Sequence, residues 1–211
     1  MEPSELALLH EHYRDTCTVM QHHRGARDRY FYFVLATVAV VLFDVVAPQD
    51  FSVVIGEALK AKLSLSVAPN LAYLRSIVWF LLLGLTIRYC QTALLVERQY
   101  EYVHHLEAQL SKHVQGGFTR ESVAYLSNYP LFLHWAHYLY TLVSPLLLVG
   151  VVVAWTRVQI PGWPPWPGLV WFDCAVSVAI VVSVVLYLIG FHLHRKTDNE
   201  PRSRSRSARH S

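Results

Sequence analysis

The sequence predicts an all-α fold, an integral membrane protein with four transmembrane helices plus cytoplasmic amphipathic helices, and three observations carry that expectation. Hydrophobic residues make up 54% of the 211-residue chain and charged residues only 16%, against about 45–50% and about 25% in ordinary globular domains. The apolar residues fall into four runs of 18 to 23 positions. These are too long for strands of about 4–8 residues and suited to the ~20 residues a helix needs to cross a ~30 Å hydrocarbon core. The charges, finally, collect at the two ends and in one central stretch. Such a composition excludes a disordered chain, a collagen-like fibre and a disulfide scaffold. The three cysteines, Cys17, Cys90 and Cys174, form no CxxC pair and outline neither a disulfide framework nor a zinc site.

Residues 1–29 read as a cytoplasmic N-terminal amphipathic helix, because Leu6, Leu9, Tyr13, Cys17 and Met20 recur at helical spacing. With four arginines ahead of the first apolar run, this segment is too long for the charged start of a signal peptide, so the run is read as a retained span. The transmembrane domain covers residues 30–191, with spans at about 30–47, 77–96, 136–155 and 169–191. Between the first two spans, Asp50 is placed to cap a helix whose face of Phe51, Val54, Ile55, Ala58 and Leu59 lies opposite Glu57 and Lys60, as an interfacial helix does. The proline-rich stretch TRVQIPGWPPWPG reads as a tight turn anchored by Trp163 and Trp166 between spans three and four.

The central loop, 97–135, predicts a continuation of the second span into the cytoplasm. Val96, Val103 and Leu110 fall seven apart with Leu106 between them, a short coiled-coil-like stripe. Gly116 and Gly117 end it, Thr119 starts a short helix from Arg120 to about Ser127, and Pro130 follows. Two uses of the stripe stand side by side. It packs within the chain against the N-terminal helix, or Val96, Val103, Leu106 and Leu110 form a partner or oligomer interface that assembles a homo-oligomer. Residues 192–211 read as a disordered basic cytoplasmic tail, in which Arg195, Lys196, Arg202, Arg204 and Arg206 attract anionic lipid headgroups. No aromatic or folded RNA-binding element accompanies those arginines, which disfavours nucleic acid as the partner.

Thirteen lysines and arginines lie in the two terminal segments and the central loop, against four in the other two loops. The positive-inside asymmetry therefore places both termini in the cytoplasm. Charges inside the spans are the candidates for function, since charge in hydrocarbon is costly. Arg88, within span two, either lines a polar pathway inside the bundle or reaches back to an interface; Asp44 and Asp173 share a depth and are candidates for a cation or proton site at a pore mouth. The twelve histidines include His134, His137, His192 and His194 on the cytoplasmic side, the ligands the sequence offers for metal or haem. The dense HxxxH and HxxHH boxes of membrane di-iron enzymes are absent, and so are a nucleophile elbow and a phosphate loop. The expectation is therefore no cofactor, no metal and no enzyme.

The stretches ERQYEYVHHLEAQLSKH and FTRESVAYLSNYPLF, with Glu97, Tyr102, His105, Leu106 and Glu107, then Arg120, Glu121, Tyr125, Leu126, Tyr129 and Pro130, resemble a pattern of small bacterial membrane proteins with several spans. Some proteins of that architecture act as membrane-disrupting effectors in phage defence. The resemblance covers about 35 residues of the central loop, none of the spans, and assigns no active residue. The functional expectation is a bacterial inner-membrane protein acting as an oligomeric channel-like or membrane-perturbing effector controlled through its cytoplasmic helices. Its alternatives are a non-conducting anchor or scaffold docking a cytosolic partner, and a haem or metal protein.

Overall fold

The computed structural model describes residues 3–63, 71–112, 135, 138–160 and 167–197. Every element among them is helical: α1 (Pro3–Val46), α2 (Pro48–Leu63), α3 (Leu71–Ser111), a π-helical turn (Leu139–Val143), α4 (Ser144–Gln159) and α5 (Gly168–Thr197). Four stretches, Ser4–Val46, Ala72–Ser111, Leu139–Val158 and Gly168–Gly190, are long and apolar enough to cross a membrane. The expected helix from Arg120 to Ser127, with Gly116, Gly117, Thr119 and Pro130 around it, lies outside the described residues, as do Trp163 and Trp166 and residues 198–211.

Two helices dominate. α1 has 44 residues and α3 has 41, which at 1.5 Å per residue makes them about 66 and 62 Å long. Neither contains an interior proline, and in each the apolar span continues into an amphipathic segment without a break. They run antiparallel in a register held from end to end: Tyr13 meets Glu107, Arg24 meets Tyr100, Phe31 meets Tyr89 and Asp44 meets Arg75.

The other helices complete a four-helix ring in which α3 adjoins α1 and α5, and α4 adjoins α5 and α1. Tyr140 ahead of α4 and Tyr187 late in α5 both approach the Phe31–Tyr89 level, whereas Trp155 and Asp173 reach the level of Trp79 and Ser76. The helices therefore alternate in direction, and the N-terminus of α1 and the C-terminus of α5 leave from the same, proximal, end. The core of the ring is Val34, Val38, Val41, Leu82, Leu148, Val152, Ile180 and Val184 around Trp79 and Trp155. Large apolar side chains such as Phe80, Leu147, Val178 and Leu186 face outward, as lipid contact requires.

At the distal end, where α1 finishes and α3 begins, Pro48 sets the break. Ala47 N still donates to the Phe43 carbonyl and Phe51 N to the Ala47 carbonyl, both at 2.9 Å. Pro48 has no N–H for the Asp44 carbonyl in between. A new helix starts with proline at its first position, where the missing donor costs nothing. Asp50 consequently sits in the first turn of α2 and is not its cap, a correction to the expected boundary. Of the expected apolar face, Phe51 is buried against Phe43, while Val54 and Ala58 are exposed.

The π turn has a similar cause. Ser144 N donates to the Leu139 carbonyl, five residues back. In that register the Tyr140 carbonyl would accept from residue 145, which is proline and has no N–H. The Tyr89 hydroxyl takes the vacant place, donating to the Tyr140 carbonyl at 3.0 Å. Outside the ring, the proximal halves of α1 and α3 form a two-helix stalk whose seam is Tyr13, Met20, Val103, Leu106 and Leu110. Within it the Tyr13 hydroxyl donates to Glu107 Oε1 at 2.9 Å, and Glu107 is only 2% exposed.

Replacing Tyr89 by Phe removes the donor to the Tyr140 carbonyl, which should destabilise the folded chain by about 1 kcal/mol in detergent unfolding. Tyr13→Phe should cost about 1–3 kcal/mol by removing one donor from the buried Glu107 carboxylate.

Candidate functional site

The polar groups of the distal end converge from four helices. Asp44 lies in the last turn of α1 and is 5% exposed; Arg75, in the second turn of α3, donates to its Oδ1 from Nε at 3.0 Å and from Nη2 at 2.7 Å. The next residue along α3 turns toward α5, where the Ser76 hydroxyl donates to Asp173 Oδ2 at 3.0 Å. One turn deeper, Trp79 Nε1 donates to Ser177 Oγ at 3.0 Å, and Ser177 in turn donates to the Asp173 carbonyl at 2.7 Å. Thr156 Oγ1 on α4 donates to the Val152 carbonyl at 2.7 Å and stands 3.3 Å from Ser177 Oγ. Beneath these groups the Trp79 and Trp155 indoles stack with centroids 4.2 Å apart and planes 14° from parallel. α3 and α4 face each other across the ring, so this stack closes the axis of the bundle.

Above the stack is a cavity of about 70 Å³ lined by Arg75, Trp155, Thr156, Ile160, Leu169, Val170, Asp173 and others. That is room for a few water-sized groups. Two carboxylates and one guanidinium meet here. Asp44 and Arg75 neutralise each other, and Asp173 carries the excess negative charge. Its Oδ1 is buried with no hydrogen-bond partner among the described residues, a condition that costs about 1–3 kcal/mol unless something else supplies a donor.

The expected site residues fare differently. Asp44 and Asp173 do share a depth, being held by the adjacent residues Arg75 and Ser76, but they are not a joint open site: the ion pair with Arg75 closes Asp44. Arg75, near the distal end of α3, turns inward to Asp44. Its partner was legible in principle, since residues flanking the turn of a helical hairpin lie at one level. Arg88 is exposed on the outer surface of the ring and does not line its interior, which corrects the first of its two readings. The α1–α3 register explains why. Tyr89 packs on Phe31, at the start of the first span, so Arg88 stands at the proximal margin rather than mid-span, within reach of an interface for a side chain of its length.

Val96, Val103, Leu106 and Leu110 are between 0% and 4% exposed, buried within the chain. The reading of these four as an interface to a partner or second copy is therefore corrected in favour of packing against α1. Arg195, Lys196, His192 and His194 fall on the last turns of α5, and their side chains lie outside what is described; so do His134, His137, Arg202, Arg204 and Arg206 altogether. Among the described residues no three His, Cys, Asp or Glu side chains gather as metal ligands. Comparison of the chain with protein-family models, curated proteins and solved structures finds no match.

Breaking the distal ion pair from one side strands a charge. Asp44→Leu or Arg75→Leu alone should lower unfolding stability by about 2–3 kcal/mol, whereas the double replacement should recover most of that loss; a double-variant loss equal to the sum of the two single losses would show that the pair contributes no coupling.

Proposed function

We propose that the chain is a multi-pass protein of a bacterial inner membrane, with both termini cytoplasmic, that acts as a non-conducting anchor holding a two-helix stalk for a cytosolic partner. The observation that carries this reading is the closed axis: the Trp79–Trp155 stack and the apolar layers beneath it leave no polar path through the ring among the described residues. The thirteen-to-four asymmetry of basic residues supports the orientation. The basic tail, with Arg195, Lys196, Arg202, Arg204 and Arg206, supports a hold on anionic lipid.

A second reading keeps the channel-like or membrane-perturbing effector of antiviral defence, now with any pore between copies in a homo-oligomer. Arg88 favours it, being exposed at the span margin with no side-chain partner among the described residues. The full chain reconstituted into dye-loaded vesicles separates the two. An anchor leaks no faster than empty vesicles at any protein-to-lipid ratio. A leak that rises with protein density and is lost in Arg88→Leu overturns the anchor in favour of the oligomer.

Orientation has its own check. With Cys17, Cys90 and Cys174 replaced by Ala, a single cysteine at Lys60 should react with an impermeant thiol reagent on intact spheroplasts. One at Glu11 should react only after permeabilisation. The reverse pattern overturns the assignment of both termini to the cytoplasm.

A further inference from the structure

The distal cavity has walls of opposite character. On one side stand the last turn of α4, through Trp155, Thr156 and Ile160, and the Asp173 carboxylate. A helix C-terminus and a carboxylate both favour a cation, and the Trp155 ring adds an aromatic surface of the kind ammonium groups prefer. On the other side stand Leu169 and Val170 in the first turn of α5, with Arg75. A helix N-terminus and a guanidinium favour an anion.

Two features distinguish the site from a merely polar gap. Asp173 keeps a buried oxygen, Oδ1, without a donor among the described residues, although its other oxygen is held by Ser76. Arg75 donates to Asp44 through Nε and Nη2 only, so its Nη1 is not engaged by that pair. A ligand that satisfies both must carry a hydrogen-bonding cation and an anion a few Å apart. The volume, about 70 Å³, admits a group of only a few heavy atoms, so the larger charged group stays at the mouth. The Trp79–Trp155 stack forms the floor and limits entry to the distal side.

We propose that this cavity binds a phosphoethanolamine group: the ammonium enters and donates to Asp173 Oδ1, and the phosphate rests at the mouth against Arg75 and the first turn of α5. Placed at the end of four apolar helices, it takes that group from an aminophospholipid of the distal leaflet. The inference uses the spanning of a bilayer and not the anchor role, so a conducting protein would leave it standing.

The test is thermal unfolding of the full chain in mild detergent with added phosphatidylethanolamine, phosphatidylcholine or soluble phosphoethanolamine. Phosphatidylethanolamine should raise the unfolding temperature at lower concentration than phosphatidylcholine, whose three N-methyl groups remove every donor. In Asp173→Asn the required concentration should rise about tenfold or more, as loss of a charge-assisted hydrogen bond implies. Val170→Phe, which fills the cavity without altering the carboxylate, should abolish the preference as well. Stabilisation by soluble phosphoethanolamine equal to that of the lipid would support the group and overturn the lipid as its source. Equal shifts with both lipids in the wild-type chain, or an undiminished preference in both variants, overturn the proposal.

Discussion

A helix in hydrocarbon must satisfy its polar groups from within the protein, and the bundle is arranged around that constraint. Each unpaired group there costs several kcal/mol. The chain meets the demand twice where proline has removed a donor. At Pro48 it breaks the helix and starts another. At Pro145 it shifts the register to a π turn and calls on a tyrosine from α3. The ion pair of Asp44 with Arg75, the serine on Asp173 and the indole N–H on Ser177 answer the same demand for side chains. All three partners come from one face of α3, which makes that helix the organiser of the distal end.

The stalk continues the same pairing beyond the ring. Its seam buries Met20, Val103 and Leu110 by hydrophobic contact, a driving force that water supplies and lipid does not. Inside the ring, close packing and hydrogen bonds do that work, and the buried side chains there are branched aliphatics and aromatics, with Cys90 and Ala93, fitted around two stacked indoles. One pair of helices is thus held by two different physical effects along its length, in a single register.

Much of this was legible in the sequence, because apolar run length and helical spacing are local signals. The four spans, the passage of α1 and α3 out of the bundle and the seam of the stalk all follow from them. What was not legible is what depends on which helix faces which. Arg88 looked mid-span because the apolar run of α3 continues to Val96, but the later part of that run faces stalk and ring together, and only the contact of Tyr89 with Phe31 shows its depth. The closure of Asp44 by Arg75, and the remaining freedom of Asp173 Oδ1, belong to the same class: they are set by neighbours 31 and 97 residues away in sequence. Asp50 misled for a different reason, since its capping preference competed with the proline two residues earlier.

The unbroken length of α1 has a mechanical meaning. A rigid rod about 66 Å long turns a tilt of about 5° at one end into a displacement of about 6 Å at the other. α1 is clamped distally through Asp44 and paired along its shaft with α3, which is nearly as long. The two form a lever with its fulcrum in the four-helix ring, and a load on the stalk is delivered to the distal end of the ring without a joint to absorb it.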